Sequence, residues 1–129
     1  MEHINNRGGI VGRGILLDYV RYASLHRINY SAMSRHPISL NTLLAIAKEQ
    51  KVEFRKGDIL LVRTGWTKWY EEHGEEEREK YITNGSAWVG VEGCEEVVEW
   101  LWDGGFAAVA GDSIGAPRPP PFDDGNADW

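Results

Sequence analysis

The chain contains a single cysteine, Cys94, so no intrachain disulfide can form, and this composition favours a reducing compartment. Its longest apolar runs, residues 15–17, 59–62 and 106–110, are far shorter than the roughly 20 residues that span a bilayer. The first seven residues show neither the basic region nor the apolar region of a secretory signal. We therefore expect no membrane partner and a cytoplasmic location.

Basic residues are also scarce. Lys and Arg number 14 against 20 Asp and Glu, which gives a net charge of −6. No basic stripe is present to neutralise phosphates, so nucleic acid is not an expected partner. The glycines of residues 7–14 precede a predicted strand instead of opening a helix, unlike a phosphate-binding loop. A small-molecule substrate or ligand is the partner that remains.

Metal ligands are few and far apart in the sequence. The four histidines share no motif with the spacing of two to five residues that is typical of zinc sites, and Cys94 lies on a predicted apolar helix face. Ser113 stands in Gly-Asp-Ser-Ile-Gly and not in the Gly-x-Ser-x-Gly turn of many hydrolases. From the residues alone we predict no metal site and no cofactor in this chain, and the catalytic group stays unknown.

What the chain does contain is enough apolar surface for a core. The 129 residues are 42% hydrophobic and 11% aromatic, which suits one folded domain and excludes disorder throughout. Four of the five prolines fall within residues 117–121. We predict a domain over 1–116 and a proline-rich, disordered tail over 117–129, with a polyproline II ligand as the alternative for the tail.

The apolar pattern predicts an α/β fold. Short buried strands are expected at 14–17, 59–62 and 106–110, and a turn at 56–58 precedes the second of them. A helix is expected after Ser39, a plausible N-cap. Its predicted apolar face consists of Leu40, Leu43, Leu44 and Ala47. The acidic segment 71–79 is expected to be a solvated surface.

A second helix is expected over 93–103, where two glycines follow and end it. Its predicted apolar face, which should pack on a sheet, consists of Cys94, Val97, Val98, Leu101 and Trp102.

Each predicted strand is followed by residues that could contact a ligand. They are Asp18 after the first strand, Thr64, Gly65 and Trp66 after the second, and Asp112 after the third. Ligands of open α/β sheets gather at the carboxyl ends of strands, so these residues are candidates for a binding site. Either aspartate could act as a general base, and Trp66 could form a substrate wall. The alternative for the aspartates is a structural role as helix caps or turn formers.

Four segments together resemble a known family: residues 9–21, 52–66, 90–93 and 110–112. The combination of Gly-Arg-Gly at 12–14 with Gly-Asp-Ile-Leu-Leu-Val-Arg-Thr-Gly-Trp at 57–66 is similar to the putative cyclase family, which includes kynurenine formamidases, and is closest to its fungal-type members. The resemblance implies a swivelling β/β/α fold, of which this chain would hold a part.

The resemblance also implies a function. Characterised members are metal-dependent hydrolases that use Zn²⁺ or Mn²⁺, notably those that cleave N-formylkynurenine to kynurenine and formate in tryptophan breakdown. The positions that match family motifs beside the pocket are Arg13, Asp18, Thr64, Gly65, Trp66 and Asp112. The resemblance thus assigns these six residues to the substrate-binding pocket.

The chain departs from the family where the metal is held. The family's His-x-Gly-Thr-His-x-Asp motif is missing before the Gly-Arg-Gly segment, and no His or Glu follows Asp112. The sequence therefore predicts a fragment or an inactive homologue of the hydrolase. The alternatives are a metal-free module that binds a small aromatic ligand and a non-functional remnant. An incomplete domain would expose apolar surface, so association into a homo-oligomer is also expected.

Overall fold

The computed structural model describes residues 4, 6–84 and 87–114. The predicted proline-rich tail lies outside these residues. Within them, the main sheet contains three parallel strands, β1 (Gly14–Asp18), β3 (Ile59–Arg63) and β5 (Ala108–Gly111), in the order β1-β3-β5. A second, smaller sheet pairs β2 (His36–Ile38) with β4 (Val89–Val91), again in parallel. The three predicted strands are confirmed, with their ends shifted by one or two residues.

In the described part of the chain, five helices connect the strands. They are α1 (Tyr19–Leu25), α2 (Leu40–Glu49), α3 (Trp66–Glu72), α4 (Glu75–Asn84) and α5 (Glu95–Asp103). The alternation of helices with parallel strands confirms the predicted α/β class. Among the described helices, none combines the length and the apolar character that a membrane crossing requires.

The core lies on one face of the main sheet. Ile15 and Leu17 of β1 and Leu60 and Val62 of β3 are all buried, as the period of two along a strand requires. The residues between them point to the other face, where Leu16 is 45% exposed and Leu61 is 38% exposed. One face of this parallel sheet therefore presents leucines to solvent.

Helix α2 begins where the sequence predicts it, because the Ser39 side chain accepts a hydrogen bond from the backbone N–H of Thr42 at 3.3 Å. Its buried residues are Leu40, Leu43, Ile46 and Ala47. The assignment of Leu44 to the core face was wrong, since it is 40% exposed and Ile46 is buried instead. The apolar residues of α2 cover more of the helix surface than the core contacts. Packing buries one side of this apolar surface and leaves Leu44 on the exposed side.

The predicted face of α5 needs a larger correction. Val97 is 3% exposed, and Trp100 and Leu101 pack against the core. Val98 and Trp102, which were assigned to the same buried face, are 63% and 85% exposed. The helix is rotated so that Trp100 meets the rings of Phe54 and Phe106, at centroid distances of 5.5 and 5.4 Å.

The sequence pattern did not predict α1, α3, α4 or the small sheet. The acidic segment does lie on the surface, as predicted, but much of it is helical: α4 begins with Glu75, Glu76 and Glu77, whose negative charges favour a helix N-terminus. Strands β2 and β4 have three residues each, too few for a periodic signal.

Candidate functional site

The candidate site lies at the carboxyl edge of the main sheet. Because β1, β3 and β5 are parallel neighbours, their carboxyl ends meet at this edge. Asp18 is the last residue of β1, and Thr64 and Asp112 directly follow β3 and β5. Thr67 and Arg63 join Asp112 in lining a depression of about 360 Å³ there. The structure thus brings together the residues after the three strands that the sequence analysis nominated.

Asp112 is the most heavily hydrogen-bonded carboxylate of this edge. Its Oδ1 accepts hydrogen bonds from the backbone N–H of Thr64 at 2.6 Å and from the Thr64 hydroxyl at 2.8 Å. Its Oδ2 accepts from the N–H groups of Gly65 at 3.1 Å and Thr67 at 3.3 Å. The carboxylate therefore ties the end of β5 to the end of β3 and to the first turn of α3, where the helix dipole also favours a negative charge.

The hydrogen bonds set the direction in which the pKa of Asp112 shifts. Burial by itself would raise the pKa of this carboxyl, but the bonds from Thr64, Thr67 and Gly65 outweigh it and hold the pKa below its ordinary value. Since both oxygens are occupied and the group holds its proton weakly, Asp112 is suited to positioning backbone groups and not to abstracting a proton.

Asp18 has a similar structural role at the end of β1. Its Oδ1 accepts a hydrogen bond from the backbone N–H of Arg21 at 3.0 Å and so caps α1, while its Oδ2 pairs with Arg63 Nη1 at 3.0 Å. The backbone N–H of Asp18 donates to Gln50 Oε1. The helix-cap alternative from the sequence therefore describes both aspartates.

Gly65 makes the sharp turn between β3 and α3. Its φ of 99° is in the left-handed region, and an added Cβ would lie 2.9 Å from both the Tyr30 hydroxyl oxygen and Val20 Cγ2. Glycine meets both demands, the unusual φ and the close approach of Tyr30.

Trp66 lies at the start of α3 and packs against the core, with its ring stacked on Tyr70 at a centroid distance of 5.1 Å. Its indole N–H is buried without an acceptor among the described residues. The ring that lines the neighbouring groove is that of Trp69, one helix turn later. A substrate wall at Trp66 stays a prediction, and the sequence did not nominate Trp69.

Arg13 is separated from the other nominated residues. It precedes β1, so it lies at the amino end of the strand, about 16 Å from the carboxyl edge at 3.3 Å per residue. There its Nε and Nη2 donate to the two oxygens of buried Asp58 at 2.7 and 2.6 Å. Arg13 fixes the turn before β3 to β1, and it is not part of the candidate site.

A cluster of rings next to this edge was missed by the sequence analysis. The Tyr19 hydroxyl and His36 Nε2 are hydrogen-bonded at 2.5 Å, and the Tyr30 ring stacks on the His36 ring at 4.9 Å. The Tyr30 hydroxyl donates to the carbonyl oxygen of Thr64 at 2.7 Å. Tyr19 could have been found from its place after Asp18, but no local pattern marks Tyr30 or His36.

Burial governs the titration of this cluster. Burial raises the pKa of Tyr30 to about 12, and the nearby Tyr19, Asp112 and Asp18 add to the effect against the opposing charge of Arg63. Burial also raises the pKa of Tyr19 and lowers that of His36. Both tyrosines are therefore neutral hydrogen-bonding groups at neutral pH, and His36 is favoured in its neutral form.

A groove of about 490 Å³ opens beside Gly65. It lies between the loop 28–32, helix α3 and helix α4, and we call it the aromatic groove. Its lining includes the rings of Tyr30, Trp69 and Tyr81 and the carboxylates of Glu72 and Glu77. Its volume is in the range of small-molecule sites in proteins.

Among residues 6–84 and 87–114, no three His, Cys, Asp or Glu side chains come together in a way that could hold a metal ion. The two aspartates of the carboxyl edge are engaged with helix N-termini and with Arg63. The described residues therefore do not fit the Zn²⁺ or Mn²⁺ that the family resemblance implies.

With this geometry the chain can be compared with known proteins. A family model described as “Putative cyclase” matches residues 4–117. The chain belongs to this family. A crystal structure of a novel cyclase is similar to it, with a TM-score of 0.68 and 27% sequence identity over 90% of this chain. The match covers 36% of that cyclase, so the present chain spans about a third of its length. No curated protein matches the sequence.

Membership of the cyclase family confirms the resemblance drawn from the strand segments of the sequence. The nominated edge residues, Asp18, Thr64, Gly65, Trp66 and Asp112, all lie within the matched range, as does Arg13. The TM-score of 0.68 likewise shows that the fold described above is similar to that of a part of the matched cyclase.

Proposed function

We propose that this chain forms the strand-end framework of a cyclase-family hydrolase that acts on an aryl formamide. In this reaction water cleaves the C–N bond of the formamide and releases formate and an aromatic amine, as with N-formylkynurenine. The reaction class is the one that the family resemblance implies, and the match to the cyclase family supports that resemblance. The observation that carries the proposal is the Asp112 network, which joins β3, β5 and α3 around a concave edge.

Within this proposal the edge residues position the substrate-binding surface. Asp112 holds the Thr64–Gly65 backbone in place through its hydrogen bonds, and Asp18 with Arg63 holds the start of α1 beside it. Such a fixed edge lowers the entropic cost of orienting a substrate. Asp112 accepts four hydrogen bonds, and Asp18 caps α1 and pairs with Arg63, so both act as positioning residues.

The Zn²⁺ or Mn²⁺ of the family resemblance does not fit the described residues, so we derive no step through a metal. We assign neither the nucleophile nor the group that stabilises the developing charge to a described residue.

The test is formate release from N-formylkynurenine by the protein isolated in its native state with a tag on this chain, with Zn²⁺ or Mn²⁺ supplied. We expect hydrolysis above background. The Asp112→Asn variant should lower kcat/KM by about tenfold, because a misplaced Thr64–Gly65 turn misorients the substrate. Asp103→Asn, a matched change at an exposed carboxylate of α5, should leave the rate unchanged.

Formate release at the background rate from the native protein with either metal would contradict the proposed function. A rate equally insensitive to Asp112→Asn and Asp103→Asn would contradict the positioning role of the edge. Circular dichroism of both variants shows whether they are folded, so a loss of rate through unfolding is recognised.

A further inference from the structure

The aromatic groove has an apolar floor and an aromatic corner. Ala23 and Ala32 are buried at its base. The rings of Trp69 and Tyr81 meet edge to face, with centroids 5.5 Å apart and planes at 84°. The Trp69 ring also stacks on the His73 ring, at a centroid distance of 4.5 Å. A flat ligand ring beside Tyr81 and the remaining surface of Trp69 can adopt the edge-to-face arrangement that aromatic rings prefer.

The rim of the groove is acidic and loosely paired. Glu72 Oε1 is 3.8 Å from Lys68 Nζ, and Glu77 Oε1 is 3.9 Å from His73 Nε2. Both distances are longer than a charge-assisted hydrogen bond of about 2.8 Å. The lining holds two carboxylates, Glu72 and Glu77, and one lysine, Lys68, so the formal charges of its Lys and Glu side chains sum to −1.

The position of the groove favours a ligand site. Gly65, which follows β3, forms part of its wall, and ligands of α/β sheets bind beyond the carboxyl ends of strands. Tyr30 is fixed in this wall by its hydrogen bond to the Thr64 carbonyl and by its stacking on His36. A wall held in this way is already in its binding conformation before the ligand arrives.

From these observations we infer that the aromatic groove binds an arylalkylammonium cation, with the ring in the corner of Trp69 and Tyr81 and the ammonium between Glu72 and Glu77. The ring gains contact with two aromatic side chains, and the cation gains two carboxylates and the faces of electron-rich rings. The inference goes beyond the proposed function, because the groove binds such a cation whether or not a formamide is cleaved.

The experiment is an NMR titration of the ¹⁵N-labelled full chain with phenethylammonium, following the indole N–H signals of the tryptophans. We expect a saturable shift of the Trp69 signal with a Kd on the order of 1 mM. Trp102, which is 85% exposed on α5, is the internal control and should not shift. Two matched ligands separate the contribution of the positive charge to affinity from that of the aromatic ring. In 3-phenylpropanoate the charge is reversed, and in cyclohexylethylammonium the aromaticity is removed.

Variants identify the groups responsible. The double change Glu72→Gln and Glu77→Gln should raise the Kd about fivefold, whereas Glu99→Gln, a matched change on α5, should leave it within about twofold. Trp69→Leu removes the indole reporter, so its Kd is taken from the backbone N–H signals of Ser31 and Gly65 in the groove lining, and it should rise about fivefold. Because Trp69 also packs against the core, Tyr81→Leu tests the same wall at a residue that is 39% exposed.

An absence of saturable shifts at Trp69 would overturn the inference. Equal affinity for phenethylammonium and 3-phenylpropanoate, or a Kd unaffected by the double glutamate change, would do the same. These binding measurements need no catalysis, so they remain valid if formamide hydrolysis fails. Hydrolysis without binding of the cation would refute only the inferred cation site in the aromatic groove.

Discussion

At the residue scale, Asp18 and Asp112 have roles that their surroundings set. Both follow a strand, and both satisfy backbone N–H groups at the start of a helix. Asp112 differs in that all four of its hydrogen bonds reach across to β3 and α3, 45 to 48 residues away in the chain. A residue that looks like a general base in the sequence is thus a tertiary link in the structure.

Asp112→Asn should lower the free energy of unfolding by about 1–2 kcal/mol, because an amide NH₂ then faces N–H donors and the charge that favours those bonds is lost. The estimate is at the low end for charged acceptors, since the group is partly exposed. Urea denaturation measures the change. Asp103→Asn should change the free energy by less than about 0.5 kcal/mol, and a similar loss in both variants would refute the link.

His36 should make stability depend on pH. Burial lowers its pKa below the ordinary value of 6.5, so the unfolded chain binds the proton more readily than the folded chain. The contribution of His36 is fully present above pH 6.5 and decreases as the pH falls through the lowered pKa. Urea denaturation between pH 7.5 and 5 should show this loss.

The control for His36 is a comparison of two variants. His36→Gln should remove this part of the slope of stability against pH. His26→Gln, at a histidine whose side chain is 47% exposed, should retain it. A slope that is unchanged in His36→Gln would mean that His36 does not titrate differently in the folded and unfolded chains.

At the element scale, the helices show how tertiary contacts choose a face within a broader apolar arc. Helices α2 and α5 each offer more apolar residues than the core accepts, and in each case the excess, Leu44 or Val98 with Trp102, faces solvent. The choice depends on where neighbouring rings lie. For α5 those rings are Phe54 and Phe106, which contact Trp100.

Two adjacent valines of α5 test this orientation. Val97→Ala should lower the free energy of unfolding by about 2 kcal/mol, because it removes buried methyl groups and leaves a cavity. Val98→Ala has the same chemistry at an exposed position and should change it by less than about 0.5 kcal/mol. Thermal or urea denaturation of the two variants measures both changes in the free energy of unfolding. Equal losses of stability would show that α5 is not rotated as described.

At the scale of the whole molecule, the main sheet is covered on one face and open on the other. Parallel sheets normally have both faces covered. Here the open face carries Leu16 and Leu61, and Ala110 aligns with Leu61 in the register of β3 and β5. If the chain self-associates, as the sequence predicts, we expect the contact to form on this open face of the main sheet.

Leu16→Ser combined with Leu61→Ser should reduce self-association, because it removes apolar area from the open face. Sedimentation velocity over a concentration series measures the effect, and we expect the wild-type chain to sediment faster as its concentration rises. Leu44→Ser, at a leucine of similar exposure on α2, is the matched control. A wild-type chain that is monomeric at every concentration would refute the prediction.

Local sequence pattern was sufficient to predict part of the fold and part of the candidate site. The three strands of the main sheet, the Ser39 cap of α2, and the candidate residues after each strand follow from apolar runs and their polar ends. It missed α1 and α3 because seven residues are too few for a helical period to stand out, and α4 because it has few apolar residues. It missed His36 and Tyr30 because they meet only in the folded chain. It also grouped Arg13 with residues at the opposite end of the strand.

The sequence by itself determined the α/β class, the cyclase family and the residue types at the carboxyl edge, because these depend on periodicity and on contiguous motifs. The tertiary structure decided which carboxylates are already bound, which helix face is buried and which tryptophan lines a groove. These properties arise from contacts between residues far apart in the chain, such as Asp112 with Thr64 and Tyr30 with His36. Local pattern carries no information about such pairs until the strands align and bring them together.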